Sequence, residues 1–234
     1  MYSLNVQVTT STCDSEGYLK LYSALQMMQD SSELWLDSEP EARDFFAHNN
    51  MTQLLASRQV DIVRVPRYKE KLTVTTSIYA MKPMFGFRNT FIYDAQGKVC
   101  YKTWAMGAFV DKCTGRLHPI DDHVMGTITL DEQREMNYRD RRIVVPKTEA
   151  QVMPPIPVLR ADIDYNKHLN NANYIRMAME LLPADFSVKG IRVEYKTPAR
   201  LGDLLEPVVY NSGQGYFVTL STHGVKNAIL EFTP

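Results

Sequence analysis

Nowhere in the sequence does an apolar run approach the roughly 20 residues that span a bilayer, so no stable membrane insertion is expected. The net charge is −1 over 234 residues, which argues against a general nucleic-acid binder. Cysteine is scarce. Cys13, Cys100 and Cys113 lie far apart and are odd in number, so they imply neither a disulfide framework nor a zinc ribbon and read as reduced packing residues. Five histidines, no HExxH and no paired CxxC leave little for a metal, and no cofactor is expected. The N-terminus, MYSLNVQVTTSTCD, has no basic n-region and no apolar h-region. Its alternation reads as a strand rather than a signal peptide, and a cytoplasmic protein is expected. What remains, 44% apolar and 23% charged residues, is an ordinary globular composition with room for one large domain or two small ones.

The most informative segment is DIDYNKHLNNANY, residues 162–174. Asp164, Asn166 and His168 fall at alternate positions, so in an extended segment their side chains leave one face together. Asn170, Asn171 and Asn173 are helix-entry residues ahead of a helical pattern in Tyr174, Met177, Ala178 and Leu181. The first turn of such a helix offers unpaired backbone N–H groups to an oxygen gaining negative charge. A carboxylate, an amide and an imidazole at that point suggest a hydrolytic site. Two other readings stand beside it. Asp, Asn and His commonly cap helices and close Asx turns, and Asp162, Asp164 and His168 form a conceivable metal-ligand set.

The rest of the chain reads as one layout used twice. A strand at Ser3–Thr12 and a helix from near Tyr18 to Asp37 come first. In that helix Leu21, Leu25, Met28 and Trp35 form an apolar stripe broken by Ser32. The stripe reads as core, with lining of an acyl pocket by Leu25, Met28 and Trp35 as the functional alternative. Strands follow at Gln59–Val65, Lys71–Ala80, Phe87–Tyr93 and Val99–Val110, the last two joined across Asp94-Ala95-Gln96-Gly97. The final third has a short strand, the DIDYNKH turn, a helix to about Leu182, and strands near Lys189–Lys196, Leu204–Tyr210, Gly215–Thr222 and Asn227–Phe232. Setting Asp14 on Asp164 also sets Leu19 on Leu169, Leu25 on Ile175 and Met27 on Met177, an offset of 150. Setting Pro66 on Pro198 sets Leu72 on Leu204, an offset of 132, so about 18 extra residues fall within Ser38–Ser57 of the first copy. A long helix against an antiparallel sheet, twice over, is the α+β tandem (double) hotdog architecture. The expected division is residues 1–119, a linker at 120–148 that is partly helical at Leu130–Arg139, and residues 149–234. In the first copy Glu16 and Tyr18 stand where the second has Asn166 and His168, so one active site per chain is expected, in the second copy.

DIDYNKHLNNANYIRMAMELL resembles the LDxNxHxNNxxY signature of acyl-acyl-carrier-protein (acyl-ACP) thioesterases, and GFRNTFIYDAQGKVCYKTWAMGAFVDKCTGRL resembles that family's N-terminal sheet. The resemblance covers nearly the whole chain. It implies a double hotdog that hydrolyses fatty acyl-ACP to free fatty acid, with Asp164, Asn166 and His168 catalytic. A further family acid, in the strand after the active helix, is missing where Pro198 and Ala199 stand. Glu194 and Asn171 are the auxiliary candidates. Because the carrier is acidic, basic clusters are candidate docking surfaces: Arg58, Arg64, Arg67, Lys69 and Lys71, and Arg139, Arg141, Arg142 and Lys147. A monomer or homodimer would serve. The alternatives are a hotdog acyl-CoA thioesterase, a hydroxyacyl-thioester dehydratase, and a non-catalytic acyl- or ACP-binding module.

Overall fold

The computed structural model describes residues 1–234, which divide into two compact units. Unit 1 comprises Met1–Ala56 and Ile62–Tyr138, and unit 2 comprises Ser57–Asp61 and Arg139–Pro234. The boundary at 138 splits the segment read from sequence as a linker.

Unit 1 runs β1 (Tyr2–Gln7), α1 (Leu21–Asp37), α2 (Pro40–His48), the first part of β2 (Met51–Ile62), β3 (Lys71–Lys82), β4 (Phe85–Asp94), β5 (Val99–Asp111) and α3 (Asp122–Thr127). Strands β1, β3, β4 and β5 pair antiparallel in that order. Helix α1 packs on β1, β3 and β4 through a stripe that includes Ala24, Met28, Ser31 and Trp35, the spacing of one helical face. The polar residue within that stripe is Ser31, not Ser32. Ser31 is fully buried, whereas the Ser32 hydroxyl turns back to the Met28 carbonyl at 2.8 Å. Residues 38–57, the excess over the second copy, hold α2 and the start of β2.

Leu130–Arg139 is not helical. Its backbone is held by strand side chains instead: Asn89 Oδ1 accepts the Arg134 N–H at 3.0 Å, and the Tyr138 hydroxyl donates to the same atom at 3.1 Å. The helix in this region is α3, capped by the Asp121 carboxylate on the His123 N–H. It carries Val124 into a cluster with Ile120, Ile128, Trp35, Phe46 and Phe109. Ile120, Val124 and Ile128 of the supposed linker are core of unit 1, and the segment belongs to that unit up to Tyr138.

Unit 2 runs β6 (Ala150–Val152), β7 (Ile156–Pro157), α4 (Asn171–Met179), β8 (Gly190–Tyr195), β9 (Leu204–Asn211), β10 (Tyr216–Thr222) and β11 (Val225–Thr233). Its strands order as β8-β11-β10-β9-β6, antiparallel throughout, and Ser57–Asp61 of β2 pairs with β8. Helix α4 packs on β10 and β11. It ends three residues short of Leu182 because Pro183 bars its continuation. The opposite face of this sheet is covered by residues 139–145: Ile143 packs with Phe217 and Ile229, and Arg139 reaches Asp61 and Glu231. A helix laid on an antiparallel sheet in each unit is the hotdog layout, in tandem.

The backbone bonds sharpen the repeat. Val8 N–H to Glu70 O matches Val158 N–H to Asp203 O, and Leu19 N–H to Pro66 O matches Leu169 N–H to Ala199 O. Arg67 N–H to the Glu70 carboxylate matches Arg200 N–H to that of Asp203. The first offset is 150, as expected, but the second is 133. Leu72 therefore matches the buried Leu205 rather than the exposed Leu204, and the first copy carries 17 extra residues.

Candidate active site

The segment carrying Asp164, Asn166 and His168 is a closed turn, not the extended strand inferred from their spacing. Ile163 and Leu169 form an antiparallel bridge at its mouth. Within it the Asp164 N–H donates to the His168 carbonyl at 2.9 Å, and the Lys167 N–H to the Asp164 carbonyl at 3.0 Å. Lys167 adopts the left-handed conformation, with φ +63°. The Asp164 carboxylate drives this geometry: its Oδ1 accepts the Asn166 N–H at 2.9 Å and the His168 N–H at 3.4 Å, an Asx turn that outcompetes extension. All three residues are half-buried. The turn places them on one five-residue loop, and no hydrogen bond joins their side chains. Both bonds to the Asp164 carboxylate use Oδ1, which leaves Oδ2 for a water or substrate.

The loop leads into α4. Asn170 caps it, accepting the Ala172 N–H on its side chain at 2.9 Å and the Asn173 N–H on its carbonyl at 2.9 Å. The sequence offered several helix-start N–H groups for an oxyanion, and these two are consumed by the cap. Asn171, the first helical residue, retains its own. Asn173 braces the entry from beneath by donating to the Asp162 carbonyl at 3.0 Å. The Asp162 carboxylate pairs with Arg176 at 2.7 Å and accepts the Leu159 N–H at 2.9 Å. These partners commit Asp162 to structure, which removes it from the metal-ligand set considered with Asp164 and His168.

Two tyrosines with no site role expected from the sequence complete the surroundings. The buried Tyr174 hydroxyl accepts the Ala199 N–H at 2.8 Å. Its pKa is pushed up to about 12 by burial, opposed by that N–H and reinforced by the charges of Asp203 and Asp164. The phenol is therefore neutral and sits in the field of Asp164. Tyr195 donates to the Asn171 carbonyl at 3.0 Å and meets Tyr174 edge-on, with ring centroids 5.8 Å apart. Ala199, next to Pro198 at the place of the family acid, is fully buried, and both of its backbone polar groups are bonded. No carboxylate stands there.

Glu194 does not replace it. Tyr195 faces α4, so by strand alternation Glu194 faces the other way, where it accepts the Ile143 N–H and pairs with Lys196. It is buried. Burial pushes its carboxyl up, but Lys196, the Ile143 N–H and Arg141 outweigh that and hold it below the usual range. On this outer face Glu194, Arg141, Arg142, Lys196 and Lys226 line a groove of about 550 Å³ floored by Ile143 and Ile229. Lys196 and Lys226 join the expected cluster only because β8 and β11 are neighbours, which sequence separation hid.

The first basic cluster is less free. Arg64 is ion-paired with Glu70 at 2.8 Å and Asp94 at 3.0 Å, Arg67 stacks on Tyr18, and Lys69 holds a left-handed turn position with φ +71°. Arg58 is buried rather than on a surface. In unit 1, Leu25 and Met28 are fully buried, and Trp35 lies in the core cluster with the Arg88 guanidinium 5.0 Å above its ring.

Fold and loop together define a tandem hotdog protein with an Asp/Asn/His turn feeding a capped helix. The acyl-ACP thioesterase N-terminal domain model matches residues 1–128 and the C-terminal domain model matches residues 145–229, so the chain belongs to the acyl-ACP thioesterase family. Among solved structures it is similar to an acyl-ACP thioesterase from Bacteroides thetaiotaomicron (18% identity, TM-score 0.87, covering 99% of this chain and 96% of that one). It is also similar to the 12:0-ACP thioesterase from Umbellularia californica (14% identity, TM-score 0.86, 99% and 96% covered). At these identities the likeness is one of fold. A curated relative, the chloroplastic acyl-acyl-carrier-protein hydrolase FATB3 of Cuphea viscosissima, is 22% identical over 169 residues, and the aligned region spans 66% of this chain and 40% of the relative's length.

Proposed function

We propose that the protein hydrolyses fatty acyl-ACP thioesters to free fatty acid and holo-ACP in the cytoplasm, through Asp164, Asn166 and His168. The observation that carries this reading is the Asp164 turn, in which one carboxylate oxygen is tied to the backbone and the other is left for chemistry, in a chain of this family. A thioester carbonyl is already electrophilic and a thiolate leaves readily, so the site needs an activated oxygen and donors for the oxyanion. Asp164 Oδ2 takes a proton from water, which attacks the carbonyl. The Asn171 N–H and the Asn166 amide receive the developing negative charge, and His168 orients the water and protonates the departing sulfur. Direct attack by Oδ2 would instead give an anhydride. Both routes neutralise the carboxylate through Oδ2 and leave Oδ1 on the two N–H groups that hold the turn.

The acyl chain is assigned to unit 1 beside Leu25, Met28 and Trp35, where each methylene buried contributes about 0.8 kcal/mol. The acidic carrier is assigned to the groove of Arg141, Arg142, Lys196 and Lys226, which adds two cations to the docking residues read from sequence. The test follows free thiol and fatty acid release from acyl-ACP and acyl-CoA of several lengths. Release from acyl-ACP supports the reading. Release from CoA alone transfers it to an acyl-CoA thioesterase, dehydrated product without thiol indicates a dehydratase, and binding without turnover indicates a carrier module.

A further inference from the structure

Arg58 is the one residue of its strand segment that contradicts its surroundings. It lies in β2 opposite Val193 of β8. Cross-strand partners share a face, and Val193 shares its face with Tyr195 two residues on. The Tyr195 hydroxyl bonds the Asn171 carbonyl in the first turn of α4. Arg58 therefore projects to the helix side of the unit 2 sheet, the side on which the Asp164 turn enters α4, and away from the basic outer groove. Its side chain is only 5% exposed, and its Nε and Nη1 are buried without a hydrogen-bond partner. Burial works against its charge, and the opposing contribution comes from Tyr195, whose own proton burial holds tightly. A guanidinium is never neutral at working pH. A buried cation with unpaired donors is among the most costly groups a fold can retain, while an aliphatic residue would match its neighbours Ile191 and Val193. Such an orphan calls for a partner from outside the chain.

We propose that Arg58 is a substrate-binding residue whose unpaired N–H groups receive an oxygen of the acyl group: the thioester carbonyl on the way in and the fatty carboxylate on the way out. The inference rests on the reading of the site as an acyl hydrolase, and it names which group outside the turn holds the acyl head. A carboxylate is the ligand class that a desolvated guanidinium favours most, since its bonds are charge-assisted. An acid product held this way would also compete with substrate.

The test measures equilibrium binding of saturated C8 to C18 carboxylates and of their methyl esters, by displacement of a fluorescent fatty acid from the full-length protein. It compares wild type, Arg58→Met and Arg58→Lys, with a thermal melt of each. Wild type should prefer the carboxylate over its ester. Arg58→Met should lose about tenfold or more in carboxylate affinity, the scale of a charge-assisted bond, lose less in ester affinity because a neutral carbonyl accepts a weaker bond, and melt at or above the wild-type temperature. Arg58→Lys should retain part of the preference, and it carries the test if Arg58→Met does not fold. Equal wild-type affinity for acid and ester overturns the proposal, as does an unchanged preference in either variant. An Arg58→Met protein that melts lower while binding carboxylate normally would assign Arg58 to structure, satisfied by buried water. Carboxylate binding that depends on Arg58 in a protein unable to hydrolyse any acyl thioester would count against the proposed function and leave this inference standing.

Discussion

Asp164 and His168 clasp each other through the backbone: the Asp164 N–H donates to the His168 carbonyl at 2.9 Å, and the His168 N–H returns to Asp164 Oδ1 at 3.4 Å. Asp14 and Tyr18 repeat the clasp at 2.8 and 2.9 Å. The carboxylate has a structural duty in both copies, and only the second copy places an amide and an imidazole on the loop it closes.

Asn in place of Asp keeps an acceptor oxygen for both N–H groups and removes the base. Asp164→Asn should therefore keep its fold, with a melting temperature close to that of Asp14→Asn, while turnover falls by roughly 10²–10⁴. Asp14→Asn should hydrolyse acyl-ACP at the wild-type rate. Near-normal turnover by Asp164→Asn would remove Asp164 from the chemistry.

Two lysines occupy left-handed positions where the other copy has glycine: Lys167 opposite Gly17, and Lys69 opposite Gly202. A side chain in that conformation costs on the order of 1 kcal/mol. Lys167→Gly and Lys69→Gly should each raise stability by up to about 1 kcal/mol in urea titrations, in spite of glycine's greater unfolded freedom. Destabilisation by both would mean that the lysine side chains make contacts worth more than the strain.

Glu194 is held below its ordinary 4.5 in the folded state. A carboxyl lowered on folding adds stability that is full above its unfolded value and is lost as pH falls through the folded one. Glu194→Gln should therefore flatten the acid limb of the stability curve below about pH 4.5. It should leave catalysis intact, since the residue faces away from α4. Urea midpoints between pH 3 and 7 check the first point and initial rates check the second.

Charge reversal in the outer groove, Arg142→Glu with Lys226→Glu, should lower kcat/KM for acyl-ACP by about tenfold or more and leave short acyl-CoA substrates almost untouched. The wild-type rate on acyl-ACP should fall with added salt, since steering by surface charge is screened within about 10 Å at 0.1 M. Equal losses on both substrates would place carrier docking elsewhere.

Periodicity found α1, α4 and nearly all the strands, because an amphipathic stripe such as Ala24 to Trp35 survives tertiary context, and it missed the shorter α2 and α3. It failed where side chains took over the backbone. Residues 130–139 read as helix by composition and are held open by Asn89, a residue far away in sequence. The alternating Asp164, Asn166 and His168 read as a strand, yet the first of them supplies the acceptor that curls it; the Asx alternative had the physics right. The 133-residue offset was present in the sequence, since RYKEKL and RLGDLL align Arg67 with Arg200 and Glu70 with Asp203, but the shared proline drew the match one residue short. The burial of Arg58 was not readable, because a strand arginine gives no local sign of which neighbour covers it.

The first-half loop is a latch that has kept its spring. Asp14 is retained by the same four bonds that Asp164 uses, so the frame persists whatever cargo it carries. Restoring Asn at 16 and His at 18 would test whether a dormant socket can be woken, and the Arg67 plane lying on Tyr18 is the furniture such a transplant must first clear away.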